Sequence, residues 1–233
     1  MVLLKLFAVV IPPVILIAYI YGKEKIKPVN SRLVFILMIL GMVAAVISIF
    51  LEEIFDGVIR HYSSGLTNIG YIILYYLMVG FVEEGSKYML LWMKTWKHPN
   101  FEYKYDGIVF SSSVAAGFAI LENVIYFFTY GLDAVVTRGV TAFPAHIAFS
   151  AVMGIFYSKY KFYRNRGRTQ TGRMYGWFGL FLPMGFHCFY DVFARLSTAN
   201  VIANNIFSFL FIPCLILALF IFIRLESMRD EHL

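Results

Sequence analysis

The chain has 233 residues, of which 60% are hydrophobic and only 15% charged, and its mean hydropathy is +0.73. Soluble domains average roughly 45–50% apolar and ~25% charged residues, so this composition excludes an ordinary soluble domain and describes an integral membrane protein. The formal net charge of +6 does not point to nucleic acid, because the basic residues are explained by where they fall between the apolar runs.

Runs that approach the ~20 apolar residues of a spanning helix predict seven spans, at about 2–21, 33–55, 69–92, 107–130, 141–160, 176–197 and 201–224. The fold expected is all-α, a polytopic membrane helix bundle. Its short connections leave no room for a second soluble domain, so residues 1–233 read as one domain with the site-bearing spans over 69–197. The first run contains Pro12-Pro13 and lacks a small-x-small cleavage site before Lys23; it reads as a retained helix rather than a signal peptide. The connection after it carries Lys23, Lys25, Lys27 and Arg32. The third connection carries Lys94, Lys97 and Lys104. The fifth carries Lys159, Lys161, Arg164, Arg166, Arg168 and Arg173, and the tail carries Arg224 and Arg229. The alternate connections hold only Arg60, Arg138 and Arg195, with Lys5 on the same side. The positive-inside rule then places the N-terminus outside and the C-terminus in the cytoplasm. The basic fifth connection is suited to touch anionic lipid of the bilayer, though topology alone accounts for it.

The second span ends at Glu52-Glu53 beside Asp56-Gly57, which reads as a turn at the outer interface. The third span holds Glu83, Glu84 and Lys87 in its middle. A charge near a bilayer centre costs roughly 2.5–3.5 kcal/mol on insertion scales, so such groups are paired or face a polar cavity, and mark function by default. Lys87 lies four residues from Glu83 and three from Glu84, within reach of both on one helix face. The fourth span carries a small-residue surface, Ser111 to Ser113, Ala115, Ala116 and Gly117, that lets membrane helices approach closely. Phe118 and Glu122 follow, four residues apart on one face. The fifth span opens Phe143-Pro144-Ala145-His146. The sixth holds Pro183-Met184-Gly185-Phe186-His187-Cys188-Phe189-Tyr190-Asp191, in which His187 and Asp191 lie four apart, so that the carboxylate can orient the imidazole. Asn200, Asn204 and Asn205 open the seventh span and read as its caps. Cys188 and Cys214 have no C-x-x-C spacing and read as buried, reduced apolar residues.

Counted along spans of alternating direction at ~1.5 Å per residue, Glu83, Glu84, Glu122, His146, His187 and Asp191 fall in one layer near the midplane. Acidic groups and two imidazoles with no Ser-His or Cys-His motif suggest an activated water as nucleophile: a carboxylate takes its proton while an imidazole or amide steadies the oxyanion. The same residues could hold a divalent metal with a spare Glu as base, and no H-E-x-x-H decides between the two. Buried Glu, Asp, His and Lys also serve proton-coupled transporters, although no inverted repeat is visible. A non-catalytic immunity or scaffold protein is a further alternative.

Together, E-E-x-x-K at Glu83–Lys87, Phe118-x-x-x-Glu122 within Gly-Phe-Ala-Ile-Leu-Glu-Asn, His146, and His187-x-x-x-Asp191 resemble the PrsW family of intramembrane proteases. That family is grouped with the CAAX prenyl endopeptidases and the bacteriocin-immunity (Abi) proteins. The resemblance covers residues 78–195, with Asp106-Gly107-Ile108-Val109 also fitting. Glu122, where CAAX endopeptidases usually carry His, and Lys87, in place of their later Arg, favour the PrsW branch. The resemblance implies a multi-pass protease of the bacterial plasma (inner) membrane. It would make the first cut in a single-span, membrane-bound anti-sigma factor, starting the release of an extracytoplasmic-function sigma factor under envelope stress. It further implies that Glu83 and Glu84 activate water, one of them as main base, and that Lys87 tunes the pair. Glu122, His146 and His187 would complete the site, and Asp191 would orient His187 or serve the oxyanion side. No cofactor is demanded by the motifs; a divalent metal such as Zn²⁺ is compatible with them, held by Glu84, Glu122, His146 and His187.

Overall fold

The computed structural model describes residues 2–233 apart from 25, 63, 64 and 66, with side chains from Val10 onward except that of Tyr62; Lys25 and the side chain of Lys5, counted above, lie outside it. The described residues form α1 (Val2–Gly22), α2 (Ser31–Tyr62), α3 (Asn68–Thr95), α4 (Lys104–Tyr130), α5 (Leu132–Val140), α6 (Ala142–Asn165), α7 (Thr169–Ser197), α8 (Val201–Ile206), a π-helical turn (Phe207–Phe211) and α9 (Ile212–Met228). Six long helices and the composite of α8, the π turn and α9 match the seven expected spans. Ser31–His61, Lys104–Tyr130, Leu132–Asn165 and Val201–Met228 are long and apolar enough to cross a membrane by length and composition. The helices α3 and α7, with 28 and 29 residues, are of comparable length. The Asn200 side chain accepts from the backbone N–H groups of Ile202 and Ala203 and caps α8, as expected.

Two local expectations need correction. Glu52, Glu53, Asp56 and Gly57 are not a turn: α2 continues to Tyr62. Nothing there stops a helix, since a lone Gly costs only about 1 kcal/mol and Asp56 pairs with Arg60 one turn on at 2.8 Å. The connection before α6 folds as the nine-residue helix α5. The two cysteines are free but not buried: Cys188 is half-buried and Cys214 exposed on α9, where an apolar thiol in a spanning helix meets lipid at little cost.

The helix α4 is the centre of the bundle. Every residue from Tyr105 to Ile120 is buried, and α1, α2, α3 and α6 all pack on it. In lipid there is little hydrophobic force between helices, so close backbone approach supplies the packing. Gly117 sits directly against the Met38 carbonyl of α2, and Gly107 faces Gly154 and Ser158 of α6. An added Cβ at Gly117 would overlap backbone atoms that cannot rotate away. In an exposed helix Gly→Ala is favourable by about 0.8–1.0 kcal/mol. Here Gly117→Ala is expected to destabilise, and Gly117→Val to cost about 3 kcal/mol or more. Thermal melting of the detergent-solubilised variants reads the sign; a gain with Ala would contradict the close crossing.

At the end of the bundle that carries the basic connections, ion pairs tie the connections to one another and to the chain's tail. Lys27 meets Glu102 at 2.7 Å and Lys104 meets Glu231 at 2.7 Å. Glu24, in the α1–α2 connection, accepts from the Val29 N–H at 2.7 Å. Burial and a shared hydrogen bond with Asp106 push its carboxyl up to about 8.

Candidate active site

Four helices, α3, α4, α6 and α7, deliver the motif residues to one place. On α3, Glu83, Glu84 and Lys87 are all buried. The Ser86 hydroxyl bonds Ser48 of α2 at 2.8 Å, which holds α3 against α2. Gly80 lets α7 close in, since a Cβ there would lie 2.8 Å from the Met184 carbonyl; His187 follows less than one turn later. His146 enters near the start of α6 and packs against the Phe118 ring of α4 at 5.6 Å between centroids.

The Lys87 ammonium is the hub. It lies 2.8 Å from Glu84 Oε1, 3.3 Å from Glu83 Oε2 and 3.2 Å from His146 Nδ1, and 3.8 Å from the centre of the Phe118 ring. Since an ammonium only donates, His146 Nδ1 accepts, and its Nε2–H is directed at Glu122 Oε2 at 3.0 Å; the partners set this tautomer. His187 has a carboxylate oxygen on each side, Glu84 Oε1 3.0 Å from Nδ1 and Asp191 Oδ2 3.3 Å from Nε2. Asp191 is thus in contact with His187.

A cavity of about 540 Å³ opens beside this cluster, lined by Glu52, Glu83, Glu122, Arg138, His146, His187 and Asp191 among others. Its wall separates the paired glutamates. Glu83 faces the cavity, with His187 Nε2 at 3.9 Å and His146 Nδ1 at 4.0 Å from its Oε2. Glu84 and Lys87 lie behind, fully buried, and Glu84 Oε2 has no hydrogen-bond partner among the described residues. The cavity reaches Thr137, Thr141, Thr198 and Asn204, the end of the bundle away from the basic loops.

All seven residues singled out from the motifs are therefore in one connected network. Two further residues belong with them. Arg138 of α5 places Nη2 2.5 Å from Glu122 Oε1, donates from Nε to Asn123 Oδ1 at 3.3 Å and stacks over Tyr126 at 3.7 Å. In the sequence it is one of three sparse basic residues in the alternate connections, sixteen residues from its partner, with no motif to join them. Glu52, read as an interfacial turn, instead lines the cavity; the signal that could have found it is the stripe Ala45, Ser48, Ile49, Glu52 at helical spacing.

Glu83, Glu84, His146 and His187 each offer a donor atom, all within 4.8 Å of one another. This set differs from the expected one in having Glu83 where Glu122 was named, because Glu122 is engaged by Arg138 and His146. Two imidazoles and two carboxylates, buried, with an orphaned carboxylate oxygen, fit a divalent ion of the Zn²⁺ type. The Lys87 ammonium already shares three of these four residues, so an ion and the ammonium cannot both take the same centre.

The chain matches the PrsW family intramembrane metalloprotease profile over residues 30–220. It is 32% identical over 196 residues to Protease PrsW of Clostridioides difficile (strain 630), covering 81% of this chain and 78% of that one. To Protease PrsW of Geobacillus kaustophilus (strain HTA426) it is 27% identical over 184 residues, 78% and 76% of the two chains. To that of Bacillus subtilis (strain 168) it is 27% identical over 180 residues, 77% and 78%. No solved structure matches.

Proposed function

The chain belongs to the PrsW family of intramembrane proteases, and from that premise we propose that it hydrolyses a peptide bond in a single-span membrane protein, with Glu83 as the base that activates water. The observation that carries this reading is that Glu83 alone of the paired glutamates faces the cavity, with both imidazoles within 4.0 Å of its carboxylate. Glu83 takes a proton from water as the water oxygen bonds the scissile carbonyl carbon, and the C=O electron pair moves onto oxygen. His187, whose Nε2 lies 3.3 Å from Asp191 and 3.9 Å from Glu83 on the cavity side, turns its Nε2–H from Asp191 to that oxyanion. The C–N bond then breaks as Glu83 returns its proton to the amide nitrogen. Lys87 and Glu84 keep Glu83 in place from behind, and Arg138 fixes Glu122 against His146. A divalent ion in this cluster would be held by Glu84, His146 and His187, with Glu83 left as the base, and when bound would polarise the carbonyl and acidify its water.

The expected substrate is a single-span anti-sigma factor, cut as the first step of regulated proteolysis, at the plasma membrane of a bacterium. The cavity supports a cut toward the outer side: it extends to the end of the bundle that carries only Arg60, Arg138 and Arg195 among its connections. Purified protein reconstituted in liposomes with a single-span anti-sigma reporter is expected to release a discrete outer fragment. A strong chelator decides the chemistry. Loss of cleavage restored by Zn²⁺ assigns the ion; cleavage indifferent to chelation assigns a carboxylate-activated water. An intact protein that cleaves no single-span substrate under either condition refutes the reading.

A further inference from the structure

We propose that Glu52 forms an acidic subsite that receives a Lys or Arg side chain of the substrate on the outer side of the bond that is cut. The inference rests on the peptidase reading and adds a substrate class to it.

The cavity's other carboxylates have cationic or imidazole partners. Glu83 meets Lys87, Glu122 meets Arg138 and His146, and Asp191 meets His187. Glu52 makes no hydrogen bond or ion pair among the described residues, yet lines the same cavity. The two guanidinium groups in that lining are turned elsewhere: Arg138 to Glu122 at 2.5 Å and Arg195 to the Thr198 hydroxyl at 3.3 Å.

Position makes this unpartnered carboxylate more than a solvated surface charge. The Ser48–Ser86 hydrogen bond at 2.8 Å fixes α2 against α3 just inward of Glu83. Glu52 is one turn beyond Ser48, ~6 Å along the axis, so it stands on the outer side of Glu83 where the cavity continues outward. Ser86 lies ~4.5 Å inward of Glu83 by the same count, so Glu52 is only slightly outward of Glu83, and with ~3.3 Å per residue of an extended peptide it stands beside a substrate side chain next to the cut. Tyr75 and Tyr76 of α3 line the same wall. Their rings suit the long apolar stem of a Lys or Arg and the face of its cation. An acidic substrate side chain there would meet Glu52, Glu83 and Glu122 together.

The test uses synthetic Leu/Ala-rich spanning peptides that carry a single Lys, Leu or Glu, scanned over the outermost five positions of the span. Binding to the Glu83→Gln protein is measured without turnover, and cleavage is measured with the unaltered protein. At the best position the Lys peptide is expected to bind about tenfold tighter than the Glu peptide, equivalent to ~1.4 kcal/mol. Glu52→Gln should erase the difference and Glu52→Lys invert it. Equal binding of Lys and Glu peptides at all five positions, or a Lys preference kept in Glu52→Gln, overturns the subsite. Glu52→Gln is isosteric and carries the test should Glu52→Lys not fold. Cleavage of the Leu peptide, lost in Glu83→Gln, reports the peptidase reading separately, so the two failures are distinguishable.

Discussion

Glu83→Gln is expected to lower kcat by about 10²–10⁴-fold, the range a positioned general base contributes, while leaving KM and thermal stability nearly unchanged. The substitution keeps the size of the side chain and one acceptor oxygen, and removes only the ability to take a proton. The buried ion pair survives it, because Lys87 remains 2.8 Å from Glu84 Oε1. The cavity wall also keeps its shape. Glu84→Gln behaves differently: Glu84 lies behind the wall and ties Lys87 to His187, so its loss should appear in the melting curve as well as in turnover. Steady-state kinetics on a single-span reporter, with melting curves of the same preparations, separates the two. Near-normal turnover in Glu83→Gln would remove Glu83 as the base.

Lys87→Met has the largest expected effect on stability, about 3–5 kcal/mol, the typical penalty for removing one partner of a buried ion pair. Met fills a similar volume, so the cost is electrostatic: Glu83 and Glu84 are left side by side, with Glu84 fully buried, and His146 Nδ1 loses its donor at 3.2 Å. Adding Glu84→Gln to Lys87→Met should restore a good part of the loss, since removing both members of a pair costs less than removing one. Melting temperatures of the two single variants and the double variant close the cycle; additive losses would mean that the ammonium and Glu84 do not act as a pair. The ammonium shares donors with the four-residue cluster. If that cluster takes an ion, Zn²⁺ should therefore raise the melting temperature of Lys87→Met more than that of the unaltered protein, by removing the competition between the two cations.

The main features of this molecule are legible in one dimension because the bilayer makes charge conspicuous. Glu83, Glu84, Lys87, Glu122, His146, His187 and Asp191 stand out inside apolar runs, and each is costly there unless it has a partner. Helical spacing also announces which of them share a face: Glu83 with Lys87, and His187 with Asp191. The small residues of α4 foretell close crossings for the same reason, since packing in lipid depends on backbone approach. Glu52 and Arg138 escaped notice because each sits near the end of a run, where charge is cheap and carries no signal. Only the continuation of α2 to Tyr62 turns Glu52 into a cavity wall, and only the fold of α5 brings Arg138 to Glu122.

What the sequence by itself determined is the inventory: an all-helical membrane bundle, its family, and a set of ionisable groups too expensive to be incidental. The tertiary structure alone decided which of the adjacent glutamates faces the cavity, where Lys87 rests, and which carboxylate the α5 guanidinium takes. Local spacing along a helix sets direction around one axis. Distances between helices depend on how closely the backbones cross, at Gly80 against α7 and Gly117 against α2, and those crossings are settled only when all the helices pack together.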